Sequence, residues 1–377
     1  MKRFKIKLST PFFEDSEVEF LSKFVRSMNS GEQNDGVSGF ERKLSEFNDV
    51  SNVVAVSSGT AAIHLALLAI NTLPGDKIIL PTLTFAATAF PVKYIGAEPI
   101  FIDVDNDSWM LNIDLVEEYL SNCGSLNLPK AIISVDLFGR TCDYDRLNIL
   151  SKKYDIPIIV DAAESLGSLY RNKPSVTQGL ISVLSFNSNK IITTTGGGAI
   201  LTNQTELAEQ CRKLANQARE NVHWFEHNEI GYNYRLSPIL AALGSSQIER
   251  INKIVLDRKR IRQRYSDNLK SYSGIRIVGD SDWESSNAWL TNIRFCENRF
   301  PNGRSIVREG LENNGIESRY VWKPLHLQPI FSNSATVING NSEKIYDQSL
   351  CLPSGSSLSL FEVDEICEQI LSHLGEV

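Results

Sequence analysis

Short apolar runs punctuate the first half of the chain: Val53–Val56, Lys77–Leu80, Pro99–Ile102, Ala131–Val135, Ile156–Val160 and Val183–Phe186. Their apolar residues are consecutive rather than alternate, the pattern of strands buried on both faces. Between them, Ala61–Ile70, Ile113–Leu120 and Tyr144–Tyr154 repeat apolar residues at helical spacing. The alternation predicts a mostly parallel sheet flanked by helices, continuing to about residue 216. From Ser237 to Tyr272 one long helical stretch follows, and its Arg258, Lys259, Arg260, Arg262 and Arg264 read as a solvated face. Beyond Gly274, short strand-like and helical segments mix as in an α+β domain, with the polar Asn333–Glu343 as a loop. The expected division is a large α/β domain over 1–236, including an N-terminal segment, and a linking helix with a smaller α+β domain over 237–377.

Composition narrows the classes. A chain of 377 residues favours two domains, and 42% hydrophobic content supports a sizeable core. A net charge of -7 with no basic stripe argues against nucleic acid as the main partner. The basic start Met1–Lys7 gives way to Pro11 and acidic residues before any long apolar run, so a secretory signal is not expected. No run approaches membrane-spanning length. The six cysteines, Cys123, Cys142, Cys211, Cys296, Cys351 and Cys367, are scattered without metal-binding or redox spacing, as befits thiols in a reducing cytoplasm. No metal is expected.

Candidate chemistry gathers at three strand ends. Ser57-Ser58-Gly59-Thr60-Ala61 follows the first strand and opens a helix, where free backbone N–H groups can hold a phosphate. A plain N-cap explains that segment equally well. Asp161 follows Ile158-Ile159-Val160 at the carboxyl end of the sheet, where such folds place ligands. It can hold a pyridinium nitrogen protonated, or simply cap the next helix. Lys190 lies between another strand and Gly196-Gly197-Gly198; a lysine there can form an imine with a carbonyl compound, or be an ordinary surface lysine. Taken together the three match the phosphate, ring nitrogen and aldehyde of pyridoxal 5′-phosphate.

Ser58-Gly59-Thr60-Ala61, Asp161-Ala162-Ala163-Glu164, Ser185-Phe186-Asn187 with Lys190, and Gly231-Tyr232-Asn233-Tyr234-Arg235-Leu236 resemble the successive signatures of the DegT-type nucleotide-sugar aminotransferases, from about Phe40 to Gly355. The resemblance implies the aspartate-aminotransferase fold (fold type I) and a homodimer with shared active sites. It assigns Lys190 to the covalent link with the cofactor and Asp161 to the ring nitrogen. Gly59, Thr60 and Ser185 would hold the phosphate, helped by Asn233 from the partner subunit, with Asn187 among the cofactor contacts. Phe85 would stack on the ring, unless it is a core phenylalanine. Glu164 would lie near the ring hydroxyl, where many relatives carry glutamine or histidine.

For substrate, Ile316-Glu317-Ser318-Arg319 and Trp322-Lys323-Pro324-Leu325-His326-Leu327-Gln328-Pro329 resemble the segment bordering the sugar nucleotide, with Trp322, Lys323 and His326 as contacts or as packing residues. With Asn187–Thr194, they are most similar to enzymes aminating C4 of UDP-linked 4-keto-6-deoxy-N-acetylhexosamines. The implied reaction is cytoplasmic transamination with L-glutamate as donor; dTDP- or GDP-linked 3-keto or 4-keto sugars are the alternative. Two departures stand out. Thr195-Gly196-Gly197-Gly198 replaces the Gly-Glu-Gly-Gly of many relatives, and Ser30–Gly36 lacks the usual Gly-Pro turn. Three rival functions compete with this one. Lys190 counts against a pyridoxamine-dependent dehydratase, which carries histidine there. The missing Gly-x-Gly-x-x-Gly counts against a nicotinamide oxidoreductase. Lys190 and Asp161 together count against a non-catalytic binding or regulatory protein that retains the fold.

Overall fold

The computed structural model describes residues 4–29, 36–124 and 127–376. The departure noted at Ser30–Asp35 lies outside them. An eight-stranded sheet runs in the order Asn52–Val56, Gly198–Thr202, Ile181–Ser185, Ile158–Asp161, Ala131–Val135, Lys77–Pro81, Glu98–Ile102, Ala335–Val337. Gly198–Thr202 is antiparallel to both neighbours, and every other adjacent pair is parallel.

Five of the six apolar runs become interior strands, and Val53–Val56 lies in the edge strand Asn52–Val56. All are apolar on both faces because successive side chains leave a strand on opposite faces and each face is covered. Ile79, Ile132 and Val160 join one core, whereas Ile78, Leu80, Ile133 and Ile159 join the other. Helix Gly59–Ala69 is apolar all round for the same reason: it lies in the second core, and Ala62, Leu65, Ala66 and Leu67 are fully buried. Tyr144–Tyr154 forms the expected helix, stopped by Asp155 in the left-handed conformation.

A second sheet, Ile275–Ile277, Thr291–Phe295, Ser349–Leu352 and Arg319–Tyr320, packs with helices Ile251–Leu269, Gly303–Asn313 and Leu360–Leu374 around Ile261, Tyr265, Phe295, Val307, Leu350 and Ile366. The cut expected at 236/237 is crossed in three ways. Ile6 pairs with Ile316 and enters this smaller core. Ala241, Ile248, Ile251 and Ile254 enter the larger one. The strand Ala335–Val337 returns to the large sheet, so the segment Asn333–Glu343 is not wholly a loop. Its residues are exposed or half-buried, so it lacks the consecutive apolar residues that mark the buried strands. Gly198–Thr202 and helices Asp15–Asn29, Gly36–Asn48 and Thr205–Ala215 are further elements not foreseen above.

The long helical stretch is two helices, Pro238–Gln247 and Ile251–Leu269, joined by a 3-10 turn at Ile248–Arg250. Its charge run is not simply solvated. Arg262 pairs with Asp280 at 2.6 Å, Arg264 grips both oxygens of Asp364, and Lys259 donates to Ser285. Arg258 is buried and donates to the carbonyl of Trp289 and the hydroxyl of Ser9. Burial pulls its guanidinium down to about 10. The six cysteines are unpaired, and Cys142, Cys211, Cys351 and Cys367 are buried. Among the described residues no helix is long and apolar enough to cross a membrane, and no cluster of side chains could hold a metal ion.

Candidate active site

The inserted antiparallel strand builds the first wall. Gly198 stands opposite Val56 on one side and Ser185 on the other, drawing the turn Ser57-Ser58-Gly59 and the end of Ile181–Ser185 together. The approach is too close for any side chain: a Cβ on Gly198 would lie 2.5 Å from the Ser58 carbonyl carbon and 2.6 Å from the Gly59 nitrogen. Ser58 caps the helix by accepting from the Ala61 N–H at 3.0 Å. The Gly59 and Thr60 N–H groups stand ahead of the helix's own hydrogen bonds, at its positive end.

Asp161 ends the neighbouring strand, where Thr88 donates to its Oδ2 at 2.7 Å and the Ala163 N–H to its Oδ1 at 3.2 Å. Burial pushes its carboxyl above the usual range, partly offset by these two donors and by the Lys190 charge. Glu164 is likewise buried and pushed up, offset by Lys190 and by the Phe138 N–H, which it accepts at 2.7 Å. Lys190 Nζ lies 3.4 Å from Glu164 Oε1 and 4.3 Å from the centroid of the Trp289 ring.

These groups line one cavity of about 310 Å³. Of the expected residues, Gly59, Thr60, Phe85, Asp161, Glu164, Ser185, Asn187, Lys190 and Trp322 line it. Phe85 is 56% exposed and 5.5 Å from the Trp322 ring, so it is a wall residue and not a core phenylalanine. Lys323 and His326 are not on the wall. Lys323 is exposed, and His326 ties Thr82 to Glu343 through its two ring nitrogens at 2.7 and 3.1 Å. Asn233 is exposed and pairs in a backbone bridge with Asn216, away from its own chain's cavity. Thr88 and Trp289 are wall residues not foreseen from the sequence. Thr88 follows Phe85 by one turn of the short helix Ala86–Thr88, a spacing that could have revealed it. Trp289 comes from the far side of the chain and carries no local signal.

A family model for the DegT/DnrJ/EryC1/StrS aminotransferases matches residues 14–371. The chain belongs to that family. It is 39% identical over 98% of its length to EpsN of Bacillus subtilis (strain 168), provisionally described as a pyridoxal phosphate-dependent aminotransferase, covering 96% of that protein. It is 34% identical to the GDP-perosamine synthase of Escherichia coli O157:H7, over 97% of both chains. With a UDP-4-amino-4,6-dideoxy-N-acetyl-beta-L-altrosamine transaminase of Campylobacter jejuni it shares 28% identity, over 97% of this chain and 96% of the other. A crystal structure of a DegT DnrJ EryC1 StrS aminotransferase from Brucella abortus superposes with a TM-score of 0.88 at 31% identity, over 96% of each chain. The protein is thus a pyridoxal phosphate-dependent aminotransferase of fold type I.

The cavity suits that cofactor. Among the described residues, two buried carboxylates, Asp161 and Glu164, face a single cation, Lys190, on the wall, so a cationic ring nitrogen at Asp161 would supply a further countercharge. The helix end and Ser185 would take the phosphate. Asn189 Oδ1 and Trp322 Nε1, both on the wall, are buried without a partner, leaving an acceptor and a donor for a bound molecule. When bound, the cofactor supplies an electron sink for breaking a carbon–hydrogen bond beside a nitrogen.

Proposed function

We propose that the chain transfers an amino group from L-glutamate to a keto group on a nucleotide-linked deoxysugar. The convergence of the Gly59–Thr60 helix end, Asp161 and Lys190 on one cavity carries this reading. In it, Lys190 is the catalytic base and acid: its amine removes the proton from Cα of the donor and later delivers a proton to the sugar carbon that receives nitrogen. Asp161, oriented by Thr88, keeps the ring nitrogen protonated. Gly59, Thr60 and Ser185 bind the phosphate, Glu164 and Asn187 flank the ring, and Phe85 and Trp322 cover the substrate side and exclude water.

The motifs Asn187–Thr194, Ile316–Arg319 and Trp322–Pro329 support a UDP-4-keto-6-deoxy-N-acetylhexosamine aminated at C4. A GDP-linked sugar is the second reading, supported by the higher identity to the GDP-perosamine synthase, 34% against 28%. The absorbance of the enzyme reconstituted with pyridoxal phosphate tests both. Glutamate should bleach the long-wavelength band, and the true ketosugar should restore it. A band that glutamate leaves untouched would end the transaminase reading, and the two nucleotide sugars tested in parallel separate the substrates.

The active assembly in this proposal is a cytoplasmic homodimer. Asn233 is exposed and off its own cavity, on a stretch that also exposes Trp224, Phe225 and Ile230, apolar surface suited to a second copy. Mixing Lys190→Ala with Asn233→Ala protein should regenerate activity in hybrids, because one of the two sites in a hybrid is intact. Hybrids shown to form yet no more active than their parents would argue against shared sites.

A further inference from the structure

The peptide that carries Lys190 is held by a closed ring of hydrogen bonds drawn from four distant parts of the chain. The carbonyl of Asn189 accepts from Trp289 Nε1 at 2.7 Å and from Ser9 Oγ at 3.1 Å. Arg258 closes the ring, donating through Nη2 to Ser9 Oγ at 3.1 Å and through Nη1 to the Trp289 carbonyl. Trp289 is fully buried and its indole face lies 4.3 Å under the Lys190 ammonium.

The approach to Trp289 is also fixed. Asn287 accepts the Trp289 N–H at 2.8 Å and donates to the carbonyls of Glu164 and Leu166, both at 2.9 Å. Between them Ala288 has φ of 52°, a left-handed conformation that a residue with a side chain rarely adopts. Gly139 must lack a side chain beside this turn, since a Cβ there would stand 1.9 Å from Asn287 Oδ1. Trp289 is thereby tied at once to the Asp161–Glu164 turn, the Lys190 turn and the linking helix.

We propose that Trp289, clamped by Arg258, Ser9 and Asn287, is the positioning residue that seats the Lys190 amine whenever it is free to carry a proton. The proposal rests on the catalytic role given to Lys190 above. A proton carrier at the end of a four-carbon stem must return to one place to meet the reacting carbon, and the π face attracts the ammonium there without forming a bond that must later be broken. The other charged groups facing that ammonium are Glu164 at 3.4 Å and Asp161 beside it. Glu164 draws it toward the ring side of the cavity and Trp289 holds it from below. The hydrogen bonds of Arg258 go to two neutral oxygens, the Trp289 carbonyl and the Ser9 hydroxyl.

The test uses the cofactor-free protein. In a Trp322→Phe background, tryptophan is replaced biosynthetically by mono-, di- and trifluorotryptophan, which preserve shape while draining the π face. Acetylation of Lys190 by an N-hydroxysuccinimide ester is then followed by peptide mass spectrometry, with exposed Lys344 as the internal standard. Labelling of Lys190 should rise stepwise with fluorine number, by roughly threefold to thirtyfold in total, the usual strength of such a contact. Lys344 should not change. A flat series overturns the proposal. In the natural protein, Arg258→Met should also speed Lys190 labelling and, after reconstitution, lower kcat with KM nearly unchanged. A loss of thermal stability with unchanged labelling would leave Arg258 a merely structural residue and overturn its part. The pyridoxal phosphate absorbance band of the same proteins reports separately on the transaminase reading.

Discussion

Gly198 and Ser58 approach so closely that a single methyl group on the glycine would stand 2.5 Å from the serine's carbonyl carbon. The contact is backbone on backbone, so no rotamer can relieve it. Because Gly198 also faces Ser185 across the sheet, this one position sets the distance between the two halves of the phosphate cup.

Gly198→Ala should therefore push the Ser58–Thr60 turn away from Ser185. We expect pyridoxal phosphate to bind roughly tenfold or more weakly and stability to fall by about 1–3 kcal/mol, the usual cost of overpacking. Fluorescence titration and urea unfolding read the two effects. Wild-type affinity in a normally folded variant would show that the cup tolerates the shift.

Thr88 is the side-chain donor to Asp161, across 2.7 Å. Thr88→Val keeps the shape and removes the donor. A hydrogen bond to a charged group contributes about 1.5–3 kcal/mol, so kcat should fall roughly tenfold to a hundredfold with little change in melting temperature. Steady-state kinetics on the reconstituted variant check it, and an unchanged kcat would mean that Asp161 is oriented by the Ala163 N–H alone.

Lys190→Ala should lower turnover by at least about a thousandfold, because both proton transfers lose their carrier. Added small amines such as ethylamine should restore part of the rate in proportion to their basicity. Turnover near wild type would remove Lys190 from the chemistry.

Asp136 lies directly behind the site, donating its N–H to the Asp161 carbonyl. Burial pushes its carboxyl up to about 6, against the hydrogen bonds from Tyr144, Ser165 and Cys142. A raised folded-state value means that the folded protein favours the protonated form. Its stabilising contribution is complete below the unfolded value near 3.8 and is lost as pH rises through about 6. Asp136→Asn does not titrate. Its stability relative to wild type should therefore climb by up to about 3 kcal/mol between pH 4 and pH 7, since each tenfold difference in proton affinity between the folded and unfolded chain is worth about 1.4 kcal/mol. Urea unfolding of both proteins at several pH values measures it; parallel curves across that window would contradict the assignment.

The central strands and the helices Ile113–Asn122 and Tyr144–Tyr154 were legible because burial on both faces, or on one stripe, dictates residue type at fixed periods. The segments carrying Ser58, Asp161 and Lys190 were legible for a related reason: the polar residues that close or follow such a run lie at the rim of the sheet. Ala335–Val337 was not, since it is short and little buried and so carries no apolar run. Gly198–Thr202 escaped because nothing local tells a strand which way it will run or between which partners it will insert.

Arg258 shows the limit most clearly. In the sequence it is one of a run of basic residues on a helix, and composition assigns the whole run to solvent. Only the packing of the linking helix against Ser9 and Trp289 decides that this arginine is buried while Arg260 stays exposed. The amino-acid sequence by itself determined the α/β layering and marked Gly59, Thr60, Asp161 and Lys190 as candidates for one site, since each is written in residues adjacent along the chain. The tertiary structure alone decided that Thr88 donates to Asp161, that His326 bridges Thr82 and Glu343, and that Trp289 underlies Lys190. Those relationships join residues far apart in sequence, and hydrogen-bond and ring geometry across such separations exists only once the chain has closed on itself.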